Sequence, residues 1–336
     1  MKVGEKICYS PFAIRLIAAA ALAADLIGAV PPASAQPYPS RTVSLVVGYA
    51  PGGTGDFVAR LLAVRLAAVF GQSVVVENRA GASGAIAAQS VATSIPDGHT
   101  LLVGQTPEIA INPHWLKGMG FDVEKDLQPI ALTGVVPLVL VVPAKAPYGT
   151  LAGLVAASRT APKGLLFASA GTGTPGHFAG EVLRLKTGGN MTHVPYKGAG
   201  PALNDLLGGH VDLYFPGFPA AAPHVKAGTL KQLAVSSARR SAVAPEMPTV
   251  SEVTGIKDFD FTLWVGIFAP RQTPKAVVAR LNSAINGILA QPEFKEKMHE
   301  AGADAIPMSV DEFTAFMRAE SDKYLAVIQE TGIKPE

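Results

Sequence analysis

Two segments of this chain share one pattern: a short apolar run, a glycine-rich loop, and then a stretch with helical periodicity. In the first, Val43–Val47 leads into Tyr49-Ala-Pro-Gly-Gly-Thr-Gly-Asp56. In the second, the run from Leu165 to Ala168 leads into Ser169-Ala-Gly-Thr-Gly-Thr-Pro-Gly-His177. Glycine lets the backbone N–H groups of such a loop come close to a ligand, and the helix behind adds partial positive charge at its start. Two of these units, far apart in sequence, suggest two half-sites for one anion.

The loops also have a plainer reading. Thr174 is a good N-cap, Pro175 suits the first helical position and His177 the third; Thr54 or Asp56 serves the first helix in the same way. Capping and anion binding compete for the same donors, so either loop taken alone leaves both uses open. Gly52, Gly53, Gly55, Gly171 and Gly173 leave N–H groups without side-chain cover, and the pairing of the loops favours a ligand.

Other chemistries find no carrier. The first loop lacks G-x-x-x-x-G-K-[ST], and Asp56-Phe57-Val58 follows where G-x-G-x-x-G needs its third glycine. Ser169 lacks the preceding glycine of a nucleophile elbow. The seven histidines show no H-E-x-x-H or close pairing suited to zinc, so neither a metal nor a cofactor is expected. His177 reads as a brace for its own helix start. Net charge is +2 without a long basic run, which argues against nucleic acid.

The N-terminal segment reads as an export signal. Lys2, Lys6 and Arg15 precede an apolar stretch from Leu16 to Val30, and Ala33-Ser-Ala35 supplies a cleavage site before Gln36. The single cysteine, Cys8, lies in that leader, so the mature protein would carry neither thiol nor disulfide.

Beyond it, strand and helix patterns alternate, as in a mostly parallel α/β sheet. The first helix, Phe57–Phe70, would bury Phe57, Leu61, Val64 and Ala68, and residues 112–128 read as irregular. The apolar runs near 133–142 and 260–269 would each pass between two lobes, although a single doubly wound sheet would read the same way. His193-Val-Pro-Tyr-Lys-Gly198 would present Tyr196 to a pocket, with Lys197 either attracting a carboxylate or simply solvated.

In this order, the runs resemble the Bug-type receptors of the tripartite tricarboxylate transporter family. The matching stretches include Pro51-Gly-Gly-Thr-Gly-Asp56, Glu77-Asn-Arg-Ala-Gly81, Pro96-Asp-Gly98, Gly171-Thr-Gly-Thr174, His193–Gly198, Asp205-Leu-Leu-Gly-Gly209 and Ala269-Pro270. The resemblance implies an α/β fold of the type II periplasmic-binding-protein kind, with two crossover strands and an interlobe cleft. Residues 36–137 and 261–336 would form one lobe and residues 138–260 the other, after a leader of residues 1–35. It further implies a non-catalytic, monomeric periplasmic receptor that clamps a small organic carboxylate and passes it to a membrane permease. A sensing module for a membrane kinase and an exported hydrolase-like enzyme are the alternatives.

Carried onto this chain, the site comprises Tyr49, Pro51, Gly52, Gly53, Thr54, Gly55 and Asp56 from the first loop, and Ser169, Gly171, Thr172, Gly173 and Thr174 from the second. Gln105, Thr106, Tyr196 and Phe215 join them. Phe215 and Phe218 suggest a hydrophobic or aromatic body on the solute, and Glu108 would repel a second anionic group if it pointed inward.

Overall fold

The computed structural model describes Gly4, residues 38–241 and residues 244–334. The leader and its cleavage after Ala35 lie outside the described residues. From the first strand the order is β1 (Val43–Val47), α1 (Thr54–Phe70), β2 (Val74–Asn78), α2 (Ala85–Ala92) and β3 (Thr100–Gln105). A π-helical turn at Pro107–Ile111 follows, then α3 (Asn112–Trp115) and α4 (Val123–Asp126), in the stretch expected to be irregular. Next come β4 (Leu127–Pro137), β5 (Val139–Pro143), α5 (Leu151–Thr160), β6 (Leu165–Ser169) and α6 (Pro175–Thr187). The chain continues through β7 (Met191–Pro195), α7 (Ala199–Gly208), β8 (Leu213–Tyr214), α8 (Phe218–Lys226), β9 (Leu230–Val235) and α9 (Val250–Thr254). β10 (Thr262–Pro270), α10 (Lys275–Leu289), α11 (Pro292–Glu300) and α12 (Val310–Thr331) complete it.

These strands form two five-stranded sheets, not one. The first has the order β2-β1-β3-β10-β4 and the second β7-β6-β8-β5-β9. In each, three strands run parallel and a fourth, β10 or β5, lies antiparallel beside them. The apolar run near 133–142 is therefore two strands in different sheets, divided at Leu138. The chain leaves the first sheet at Pro137 and returns to it at Thr262.

Burial follows this layering. Val139, Leu140, Val141 and Val142 of β5 are fully buried, as an unbroken apolar run in a central strand should be. In β10, Trp264 is fully buried and packs edge-on against Phe313 of α12, 6.0 Å between ring centroids. Loss of such a side chain to alanine costs about 3–5 kcal/mol. α12 also reaches the core of the second sheet, where Tyr324 packs with Trp115, Phe178 and Phe261. The Trp115 indole N–H donates to Ile333 O at 3.0 Å.

α1 buries Val58, Ala59, Leu62, Ala63 and Leu66, whereas Val64, expected inside, is 71% exposed. The helix is apolar around most of its circumference, so an i, i+4 pattern alone does not select its inner face.

Candidate functional site

Both glycine-rich loops emerge at the same cleft, between the sheets. There a cavity takes Tyr49, Gly53, Thr54, Gly55, Asp56, Gln105, Pro107 and Leu263 from the first-sheet side. Leu138, Ala170, Thr174, Pro175, Gly176, Ala199, Tyr214, Phe215 and Gly217 complete its wall.

The first loop keeps the donors at its helix start free. Gly53 occupies the N-cap of α1 with no side-chain cap, and the N–H groups of Thr54, Gly55 and Asp56 have no protein acceptor among the described residues. Neither Thr54 nor Asp56 caps in the expected sense. Asp56 instead turns its carboxylate back, accepting from Gly52 N at 3.1 Å, from Arg60 Nε at 3.0 Å and from Asn78 Nδ2 at 3.1 Å. Burial alone would raise its pKa, but the bonds from Arg60, Gly52 and Asn78 outweigh it and hold the carboxyl below its usual range. The acid locks the loop while its amides face the cavity.

The second loop spends most of its donors on itself. Gly171 N donates to Ser169 Oγ at 3.1 Å and Gly173 N to His177 Nδ1 at 3.2 Å. Both were expected to leave their N–H groups without side-chain cover, as was Gly52 of the first loop, whose N–H Asp56 covers. Thr174 Oγ1 donates to Gly171 O at 2.7 Å and caps α6 by accepting from His177 N at 3.4 Å. His177 stacks on His193 with 4.0 Å between centroids, and burial together with that neighbour pushes its pKa down to about 3, so it stays neutral. The amides left facing the cavity belong to Ala170 and Gly176. The sequence did not single out either one. Gly176 carries a signal: a Cβ there would lie 2.6 Å from Phe215 O, so only glycine lets α6 start so close to β8.

Of the expected site residues, Tyr49, Gly53, Thr54, Gly55, Asp56, Gln105, Thr174 and Phe215 meet at this cavity. Gly171, Thr172 and Tyr196 line a neighbouring one with Gly48, Ser83 and Lys197, beyond a wall made by Tyr49 and Ala170. Pro51, Gly52, Thr106, Ser169 and Gly173 line neither. Thr106 accepts from Trp264 N at 2.9 Å, fixing β3 to β10. Ser169 Oγ lies 2.6 Å from His193 Nε2, which resembles a nucleophile–base pair, yet Ser169 is fully buried and bonded to both ends of Gly171. The Tyr196 hydroxyl donates to Asp205 at 2.6 Å.

Phe218 does not join Phe215. It packs against Gly302, away from the cavity. Tyr214 takes that place, and its hydroxyl has no protein partner among the described residues. Glu108 points neither to solvent nor into the cavity. It sits fully buried behind Tyr49, with Oε1 accepting from Gln105 N at 2.7 Å and Oε2 2.9 Å from Tyr49 Oη, whose own proton goes to Ser83 O. Burial raises its pKa to about 8, against those hydrogen bonds, and raises that of Tyr49 well above 10.

Comparison with known proteins points the same way. A family model described as tripartite tricarboxylate transporter family receptor matches residues 58–333. Protein BugT of Bordetella pertussis is 35% identical over 321 residues, covering 95% of this chain and 98% of BugT. A solved Rhodopseudomonas palustris protein, Rpa4515 with adipate, is 35% identical with a TM-score of 0.86, covering 89% of this chain and all of that one. The periplasmic binding protein BugD is 32% identical with a TM-score of 0.84, again over 89% of this chain and all of that one. The two-sheet α/β architecture is that of periplasmic binding proteins.

Proposed function

The chain belongs to the tripartite tricarboxylate transporter receptor family, and from that premise we propose that it is an exported, non-catalytic receptor closing on a small organic carboxylate. The observation carrying this reading is the uncapped first turn of α1, whose Thr54, Gly55 and Asp56 line one cavity together with Gly176 at the start of α6. Oriented N–H groups at two helix starts suit a carboxylate without a lysine or arginine.

The lobes of this reading are residues 36–137 with 261–336, and residues 138–260. Each supplies part of the cradle, so the solute binds the closed arrangement better than an open one and shifts the population toward it. In this reading the receptor acts as a monomer. Export with cleavage after Ala35 would place the receptor in the periplasm, where it would hand its solute to a membrane permease. Adipate, found with the R. palustris protein, guides the choice of probes.

Calorimetric titration with short aliphatic and aromatic carboxylates, each beside its uncharged methyl ester, tests the reading. The expected result is 1:1 binding of at least one acid near micromolar, about −8 kcal/mol, with its ester much weaker. Sustained consumption of a bound acid at catalytic protein levels would overturn the receptor assignment. Equal binding of acid and ester would overturn the amide cradle.

A further inference from the structure

We propose, building on the closing receptor described above, that its lobes turn on a third hinge, the π-helical turn Pro107–Ile111 with α3. Trp115 and the C-terminal half of α12 then travel with the second sheet. Close-packed cores move as rigid bodies, so a residue moves with the core it is packed into and not with its neighbours in sequence. Ile109, Ala110, Phe313 and Met317 are buried in the core that holds Val46 of β1, Leu102 of β3 and Trp264 of β10. Ile111, Trp115, Tyr324 and Ile333 are buried in the core that holds Leu140 of β5, Phe167 of β6 and Leu213 of β8. The chain therefore changes core between Ala110 and Ile111, and again between Met317 and Tyr324, in addition to the crossings at Pro137 and Thr262.

Trp115 anchors this link. Its ring lies 5.6 Å from that of His177 and 5.5 Å from that of Phe178, at the start of α6, and its indole N–H reaches Ile333 O beyond α12 at 3.0 Å. It also packs under the second glycine-rich loop, where a Cβ on Gly173 would lie 2.8 Å from the indole ring. At the other end of the link, Gln105 and Pro107 line the solute cavity. The turn between them is the compliant part: Pro107 has no N–H, and its carbonyl accepts the wide-turn bond from Asn112 N. Asn112 sits at the divide, its Nδ2 donating to Ser83 O on the first-sheet side at 3.2 Å. Hinging at this turn leaves both cores packed, whereas opening about the two crossovers alone would drag Trp115 out of the second core.

The single cysteine, Cys8, lies in the leader, so paired cysteines in the mature protein can carry spin labels. Lys117, beside α3, and Gln329, near the end of α12, are exposed; Lys226 on α8 marks the second sheet and Lys295 on α11 the first. Distances from pulsed electron paramagnetic resonance are compared between wild type and Gly217→Ala, whose added Cβ would overlap Thr54 Oγ1 across the cleft. The Lys226–Lys295 distance is expected to shift by more than about 2 Å. Lys117 and Gln329 should keep their distances to Lys226 and shift relative to Lys295. Lys117 keeping its distance to Lys295 instead would overturn the third hinge, and Gln329 doing so would overturn the assignment of α12, with the closing receptor left standing. An unchanged Lys226–Lys295 distance would overturn the closing motion, and this inference with it. In Trp115→Ala, with folding checked by thermal melting, the Lys117–Lys226 distribution should broaden. A distribution as narrow as that of wild type would show that Trp115 is not the anchor.

Discussion

Ser83 Oγ donates a hydrogen bond to Thr172 O, joining a loop of the first sheet directly to the second glycine-rich loop. Ala50 N makes a second direct link, to Lys197 O at 2.9 Å. Ser83 holds this position in a left-handed conformation, φ 47°, which a non-glycine residue adopts at a cost of about 1–2 kcal/mol. Its own carbonyl is tied down by Tyr49 Oη at 3.0 Å and Asn112 Nδ2 at 3.2 Å, so the loop is held from the first-sheet side and the hydroxyl acts as a latch. Ser83→Ala removes one neutral hydrogen bond, about 0.5–1.5 kcal/mol, and should raise the open population of the solute-free protein roughly two- to tenfold. Small-angle scattering reads this as a larger radius of gyration than wild type. Matching profiles would show that the bond does not hold the lobes.

Gly217 and Thr54 face each other across the cleft so closely that a Cβ on Gly217 would overlap Thr54 Oγ1. The backbone of Gly217, at φ −61° and ψ 141°, accepts any residue, so Gly217→Ala should fold normally. Its expected effect is on closure: solute affinity should fall by tenfold or more, about 1.4 kcal/mol, with a melting temperature close to wild type. Adding Thr54→Ala removes the overlapping hydroxyl and should return the scattering profile toward wild type. A double variant as open as Gly217→Ala would place the obstruction elsewhere.

What the sequence disclosed depended on whether a signal was local. β1 has the bounds of its apolar run, Val43–Val47; Ser309 and Glu312 form a capping box at the start of α12. The same box, Thr249 with Glu252, opens α9, but the helix is too short for periodicity to reveal it. β4 was hidden by Pro129, Gly134 and Pro137 within it. It lies at the edge of its sheet, beside β10 and bridged on its outer side at Val135 to Asp304, where proline is tolerated. In the site, the glycine patterns located both loops. Which N–H groups stay free was decided by contacts far apart in sequence, such as Ser169 with His193, and by the rotamers of Ser169 and His177. Tyr214 escaped notice because β8 spans only two residues, so alternation offers no guide to which side chain faces the cleft.

Asp56 is expected to act on the loop through its bonds and not on the solute directly. Asp56→Asn keeps one acceptor but loses the charge that holds Arg60 and Gly52 N–H, and should cost about 1–2 kcal/mol at neutral pH. Because the folded carboxyl titrates below its unfolded value near 3.9, this contribution is present above that pH and is lost as pH falls through the folded pKa. Urea unfolding of both proteins should therefore show a gap at neutral pH that closes in acid. A gap independent of pH would mean that the charge contributes nothing.

Glu108 makes the opposite prediction. Its carboxyl is buried behind Tyr49 and has its pKa raised to about 8, against an unfolded value near 4.3. Between these values the folded protein binds a proton that the unfolded chain has released, so stability falls as pH rises. The contribution is complete below about pH 4.3 and gone once pH has passed through 8. Glu108→Gln replaces the protonated acid with a neutral group of similar shape and cannot titrate. Measured by urea midpoint from pH 5 to 9, wild type should lose on the order of a few kcal/mol relative to Glu108→Gln. The loss should appear with the variant's solute-free scattering profile unchanged, since Glu108 touches Tyr49 and Gln105 and not the opposing lobe. Parallel pH curves for the two proteins would show that the buried carboxyl is already ionised at neutral pH, stabilised by the Tyr49 hydroxyl and the Gln105 amide.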